Sequence, residues 1–196
     1  MKKVIILVVA VALSTMSFVS TSIKNEEILK VSVEDSTIHW KGYKPTGSHE
    51  GTINLISGEL NIEEGVIKGG SFTVDMPSIK DVDESARLEK HLKSADFFDV
   101  ETFNTSNFTI KSTEDKDGKI VVIGDMTIKG ITKQLSFLAT VTQTDEMLTL
   151  TSETIKINRA EFNIKYKSKT FFNNLKEKFI NNDFDLQVTI VATKQV

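Results

Sequence analysis

Residues 184–192 read FDLQVTIVA. Phe184, Leu186, Val188, Ile190 and Ala192 take one phase, and Asp185, Gln187 and Thr189 take the other. Successive side chains of a strand point to opposite faces, so this pattern predicts a strand with one buried face. The same period recurs upstream. Lys119–Lys129 puts Ile120, Val122, Gly124, Met126 and Ile128 in one phase. Gln134–Thr142 alternates through Leu135, Phe137, Ala139 and Val141, and Ser106–Ser112 carries Phe108 and Ile110. Further extended stretches are expected at 36–43, 48–56, 58–62, 66–76, 147–158 and 160–167. Turn signals separate them at Lys44-Pro45-Thr46-Gly47, Glu63-Glu64-Gly65 and Glu114–Gly118. Gly69 and Gly70 suggest a bulge. Many short strands with polar turns predict a mainly β domain, either a sandwich or a closed antiparallel barrel. A barrel of about eight strands is either filled by its own side chains or holds one small ligand.

One segment breaks the rhythm. Residues 87–108 read RLEKHLKSADFFDVETFNTSNF. Leu88 and Leu92 share a helical face while Arg87, Glu89, Lys90 and Lys93 stay wet, so a short helix is expected over about residues 84–93. Asp81, Asp83 and Ser85 all offer an N-cap, and residues 77–83 read as a loop. Phe97 and Phe98 follow directly. Burying one phenylalanine is worth about 1.5–3 kcal/mol, so the pair is expected under the helix. A second short helix is expected over 170–179.

The chain has 196 residues, 24 basic and 27 acidic side chains, and no cysteine. Neither disulfides nor thiol chemistry is available to it. Lys2 and Lys3, the apolar run Val4–Leu13 and the small residues up to Ser22 read as a secretory signal over 1–22, with one domain over 23–196. Removing Lys2 and Lys3 with that leader takes the formal charge from −3 to −5. A mildly acidic chain argues against a nucleic-acid binder. An exported chain without disulfides points to the bacterial periplasm or a secreted protein.

Catalytic and metal motifs are thin. His49-Glu50 begins like a zincin helix, but Ile53 stands where the second histidine belongs. Ser48 is one place early for a nucleophile elbow. His39, His49 and His91 lie in separate segments, so no metal site and no catalytic residue is expected. Lys165, Lys167 and Lys169 form a basic turn able to touch an anionic membrane surface transiently. Exposed strand edges would support a homodimer.

Three ordered blocks carry a resemblance: HLKSADFFD at 91–99, GDMTIKGITK at 124–133 and RAEFNI at 159–164. They resemble the signatures of the YceI-like family of lipid- or polyisoprenoid-binding, lipocalin-like barrels. The match extends from about Val33 to Ala192. The chain departs from the common pattern at Leu88, Asn104 and Asn163, where many members carry arginine, proline and glycine. The resemblance implies an exported barrel with an apolar tunnel, no catalytic residues and no cofactor beyond a bound isoprenoid lipid or prenyl quinone. The expected tunnel residues are Trp40, Phe72, Leu92, Phe97, Phe98, Phe108, Phe137 and Phe162. Leu92, Phe97 and Phe98 would gate the mouth, and His91 would contact a polar head group. The expected role is non-enzymatic sequestration or transport of an amphiphilic lipid. A filled, stress-related interaction barrel and a hydrolase or isomerase acting on an amphiphile are the alternatives.

Overall fold

The computed structural model describes residues 26–194, so the signal expected over 1–22 lies outside the described residues. Ten strands follow in chain order: β1 (Glu26–Val31), β2 (Thr37–Lys44), β3 (Gly47–Glu63), β4 (Val66–Asp81), β5 (Thr105–Lys116), β6 (Lys119–Ile128), β7 (Ile131–Gln143), β8 (Met147–Ser152), β9 (Ile155–Asn158) and β10 (Asp183–Lys194). All pair antiparallel. They make eight positions in a ring, because two positions are each filled by a broken strand. β1 and β2 lie end to end between β3 and β10, and β8 and β9 lie end to end along β10. Pairing of β10 with β8 closes the lipocalin-like barrel.

The two ends of the barrel differ. Leu29, Leu60, Ile62, Ile67, Leu148 and Ala192 are each no more than 3 % exposed and fill the end near β1. The opposite end receives the only α-helix among the described residues, α1 (Ala86–Lys93). Ser85 caps it, its hydroxyl accepting from Leu88 N at 3.4 Å. Glu89 moors it to β4: one carboxylate oxygen accepts from Asp81 N at 3.2 Å and the other from Lys80 Nζ at 3.1 Å. Its last turn carries Lys90, His91 and Lys93, which complement the negative helix end.

Four expectations need correction. β3 is one strand rather than two; its interruptions are register shifts at Thr52/Asn54, Leu55/Ser57 and Asn61/Ile62. Residues 77–81 are strand, not loop. β4 outruns β5, whose pairing stops at Asp75–Thr105, and bulges around Pro77 before re-pairing Lys80 with Thr52. Ser78 Oγ fills the gap, accepting from Asn54 N at 2.8 Å and donating to Asp75 O at 2.6 Å. Residues 160–167 are not a strand. A 3-10 turn (Arg159–Phe162) ends at Asn163 in the left-handed region, φ 60°. Likewise the segment 170–179 contains only a 3-10 turn at Lys176–Lys178.

The ring is not sealed along its whole length. β7 pairs with β8 only over Ala139–Gln143, so its first eight residues have no strand partner on that side among the described residues. β9 pairs with β10 alone. The gap lies toward the α1 end, and the 159–162 turn is the element that approaches β7 there.

Candidate functional site

The inward phases of the strands enclose an apolar cavity of about 170 Å³ toward the α1 end. Trp40, Phe72, Leu92, Phe97, Phe98, Phe108 and Phe137 all line it. Phe162 is buried, 3 % exposed, but lies outside the lining, and so does His91. Ile38, Ile53, Val122, Leu150, Ile190 and other aliphatic side chains complete the wall.

The aromatic part of that wall depends on a glycine. Phe108 stacks on Phe72 at 6.5 Å between centroids and meets Phe137 at 5.7 Å. Phe108 stands on β5 and Phe137 on β7, so they meet across β6. A Cβ at Gly124 would stand 2.6 Å from the Phe108 ring and 2.4 Å from Thr109 O. Only glycine lets the ring lie flat over the strand there. Trp40 is fixed by its indole N–H, shared between Thr52 O at 3.2 Å and Lys80 O at 3.1 Å.

Leu92, Phe97 and Phe98 close the α1 end. Phe97 and Phe98 meet edge to face at 5.1 Å. The chain around them is tightly turned: Phe98 N donates to Leu92 O at 3.0 Å and Val100 N to Lys93 O at 3.0 Å. Lys129 Nζ, from the β6–β7 turn, donates to Phe97 O at 2.9 Å.

Sequence reasoning missed the polar centre of this end. Arg159 is 2 % exposed and lines the cavity. Its guanidinium donates to Asn181 O at 2.9 Å, Ile164 O at 2.8 Å and Ile180 O at 3.0 Å, and it stands 5.4 Å from the centre of the Phe97 ring. Among the described residues no carboxylate pairs with it. Burial lowers its pKa to about 10, so it keeps its charge at neutral pH. The signal was present as the first residue of the RAEFNI block, but its acceptors lie up to 22 residues away. Besides Arg159, the polar side chains of the wall are Ser106, whose hydroxyl donates to Met76 Sδ at 3.0 Å, and Asn181.

His91 stands behind this wall. Its ring meets Tyr166 at 4.4 Å and Phe97 at 5.8 Å, both edge to face. It packs against Phe97 and is not part of the cavity lining. His49, Asp81 and Asp83 gather ligand-type atoms within 4.8 Å of one another. There Lys44 Nζ stands 3.2 Å from His49 Nε2, which can only accept from that ammonium group. His49 Nδ1 lies 3.8 Å from Asp81 Oδ1, too far for a hydrogen bond, and neither of these two buried atoms has a hydrogen-bond partner among the described residues.

The site therefore offers apolar surface with one buried cation at its rim. It can enclose a hydrocarbon group and present positive charge to whatever that group is attached to. Among solved structures the chain is similar to Burkholderia cenocepacia BcnA, with TM-score 0.69 and 19 % identity over 83 % of this chain and 99 % of that one. It is also similar to a polyisoprenoid binding domain from Saccharophagus degradans, with TM-score 0.67 and 12 % identity over 85 % and 98 %. A UPF0312 protein of Vibrio vulnificus is 34 % identical over 91 residues, 46 % of this chain and 48 % of the relative. A UPF0312 protein of Shewanella baltica is 30 % identical over 90 residues, 45 % and 47 %. The chain thus spans about half the length of the curated relatives it matches. The YceI-like domain description matches residues 29–192, and the chain belongs to the YceI-like family.

Proposed function

We propose that this protein binds the apolar tail of an isoprenoid or similar amphiphilic lipid in its barrel, without catalysis, and sequesters or carries it in the bacterial periplasm. The observation that carries this reading is the cavity at the α1 end, whose wall is almost wholly hydrocarbon. Burying one methylene is worth about 0.8 kcal/mol, so a few isoprene carbons outweigh a head-group hydrogen bond. Arg159 at the rim suits an anionic or carbonyl-bearing head. The polyisoprenoid-binding description of the Saccharophagus degradans structure supports the ligand class.

The cavity volume of about 170 Å³ constrains the mechanism. An engineered apolar cavity of about 150 Å³ holds a benzene, whereas pockets for larger ligands run to about 300–1,000 Å³. The resting barrel thus has room for about one isoprene-sized group. A longer tail enters by displacing Phe97 and Phe98 or by passing the gap between β7 and β9. The same small volume favours a second reading, a scaffold barrel whose chamber stays empty. Organic extraction of the folded protein with mass spectrometry, and uptake of prenyl quinones from detergent micelles, separates the two. A co-purifying or acquired lipid in stoichiometric amount is expected. Repeated absence of both leaves only the scaffold.

A further inference from the structure

The segment between the two anchor points of Arg159 exposes what a soluble surface ordinarily hides. Phe171 and Phe172 are 39 % and 48 % exposed, side by side. Their exposure is built in. Both backbone N–H groups donate to Ser168 O, at 3.1 and 3.0 Å. Ser168 is fully buried, and its hydroxyl donates to Asn182 Oδ1 at 2.7 Å and accepts from Thr170 N at 3.1 Å. Asn182 Nδ2 in turn donates to Thr170 Oγ1 at 2.7 Å. A loop so fully bonded is held with its two rings outward.

The loop is also rich in positive charge. Residues 165–178 carry five lysines, at 165, 167, 169, 176 and 178, against Glu177 alone, in a chain of net charge −3. Lys165 Nζ lies 5.5 Å from the Phe171 ring centre. Adjacent exposed aromatics in a lysine-rich loop match a bilayer interface with anionic lipid, where rings enter the headgroup boundary and ammonium groups meet phosphates. The position adds to the match. Ile180 and Asn181, at the end of the loop, line the cavity, and Tyr166 packs on His91 beside the gate.

We infer that residues 165–179 dock the cavity end of the barrel onto an anionic bilayer, so that a tail passes between membrane and lumen without crossing water. This rests on the lipid-binding reading for its purpose but not for its test. The intact protein is sedimented with phosphatidylcholine vesicles, with and without a third of phosphatidylglycerol, and no isoprenoid present. Partition onto the anionic vesicles is expected, weakening as salt rises. Phe171→Ser with Phe172→Ser lowers it by at least about tenfold, and Lys165→Gln or Lys169→Gln by about fivefold each, with melting temperatures held near the parent's. A Phe172→Trp variant keeps binding, and its emission shifts to the blue on anionic vesicles while Trp40 stays constant inside the wall. No partition at low salt, or equal partition by parent and double-serine variant, overturns the docking. Quinone uptake from micelles reports on the lumen alone, so failure there leaves docking standing and fails the carrier reading instead.

Discussion

Arg159 joins parts of the chain that share no secondary structure. Three of its N–H groups, one on each nitrogen, hold the carbonyls of Ile164, Ile180 and Asn181, and so pin both ends of the loop that carries Phe171 and Phe172. A hydrogen bond to a charged group is worth about 1.5–3 kcal/mol when buried. Lysine keeps the charge but lacks the planar fork, so Arg159→Lys sacrifices at least one of these bonds. At this chain length the loss corresponds to a melting temperature lower by roughly 5–10 °C. The lysines of the loop give a second measurement. Released from its anchors, the loop is cut by trypsin faster than in the parent, and unchanged resistance would show that the guanidinium does not restrain it.

At the scale of elements, Asp185 on β10 ties three adjacent strands. It accepts from Tyr43 OH on β2 at 2.7 Å and from Lys156 Nζ on β9 at 2.9 Å. Burial alone would raise its pKa, but the hydrogen bonds from Lys156 and Tyr43 outweigh it and hold the carboxyl below 3.8. A carboxyl depressed on folding stabilises the barrel above its unfolded pKa, and that stability is lost as pH falls through the folded value. Asp185→Asn is therefore expected to unfold about 1 kcal/mol more easily at neutral pH, with the gap narrowing below pH about 4. Denaturant melts at a series of pH values check this; a gap constant down to pH about 2 contradicts it. The elements that sequence made legible are those whose pattern is local. β6, β7 and β10 follow directly from their alternation, and Ser85 was among the caps that α1 offered. Residues 160–167 alternate just as well, through Phe162, Ile164 and Tyr166. They are a turn because Arg159 captures carbonyls far along the chain, and no local pattern records that. Pro77 read as a loop for a similar reason. Whether a proline is tolerated in a strand depends on where the neighbouring strand ends. Most of the candidate lining was legible because it sits on inward strand phases or follows the helix. Phe162 was misplaced with its segment, and His91 packs on Phe97 outside the lining.

For the whole molecule the governing fact is asymmetry between the ends. One is filled solid by Leu29, Leu60, Ile62 and their neighbours, and the other holds the chamber. If a tail enters from the α1 end as proposed, this floor limits the length the barrel can take. Prenyl quinones of rising tail length are expected to raise the melting temperature stepwise and then to plateau once further units hang outside. A ligand at about 100 times its Kd adds about 2.7 kcal/mol to unfolding, or about 5–11 °C for a chain of this size. A shift independent of tail length would place the binding at the head group instead.

The pairing of β1 with β10, Leu29 opposite Lys194, brings the two termini of the described chain together at the solid floor. Chain leaving the barrel from Glu26 or Lys194 starts at the base of the cup, away from the rim. A molecule anchored to a sensor chip through a carboxy-terminal tag therefore stands upright, with Phe171 and Phe172 facing the flowing liposomes.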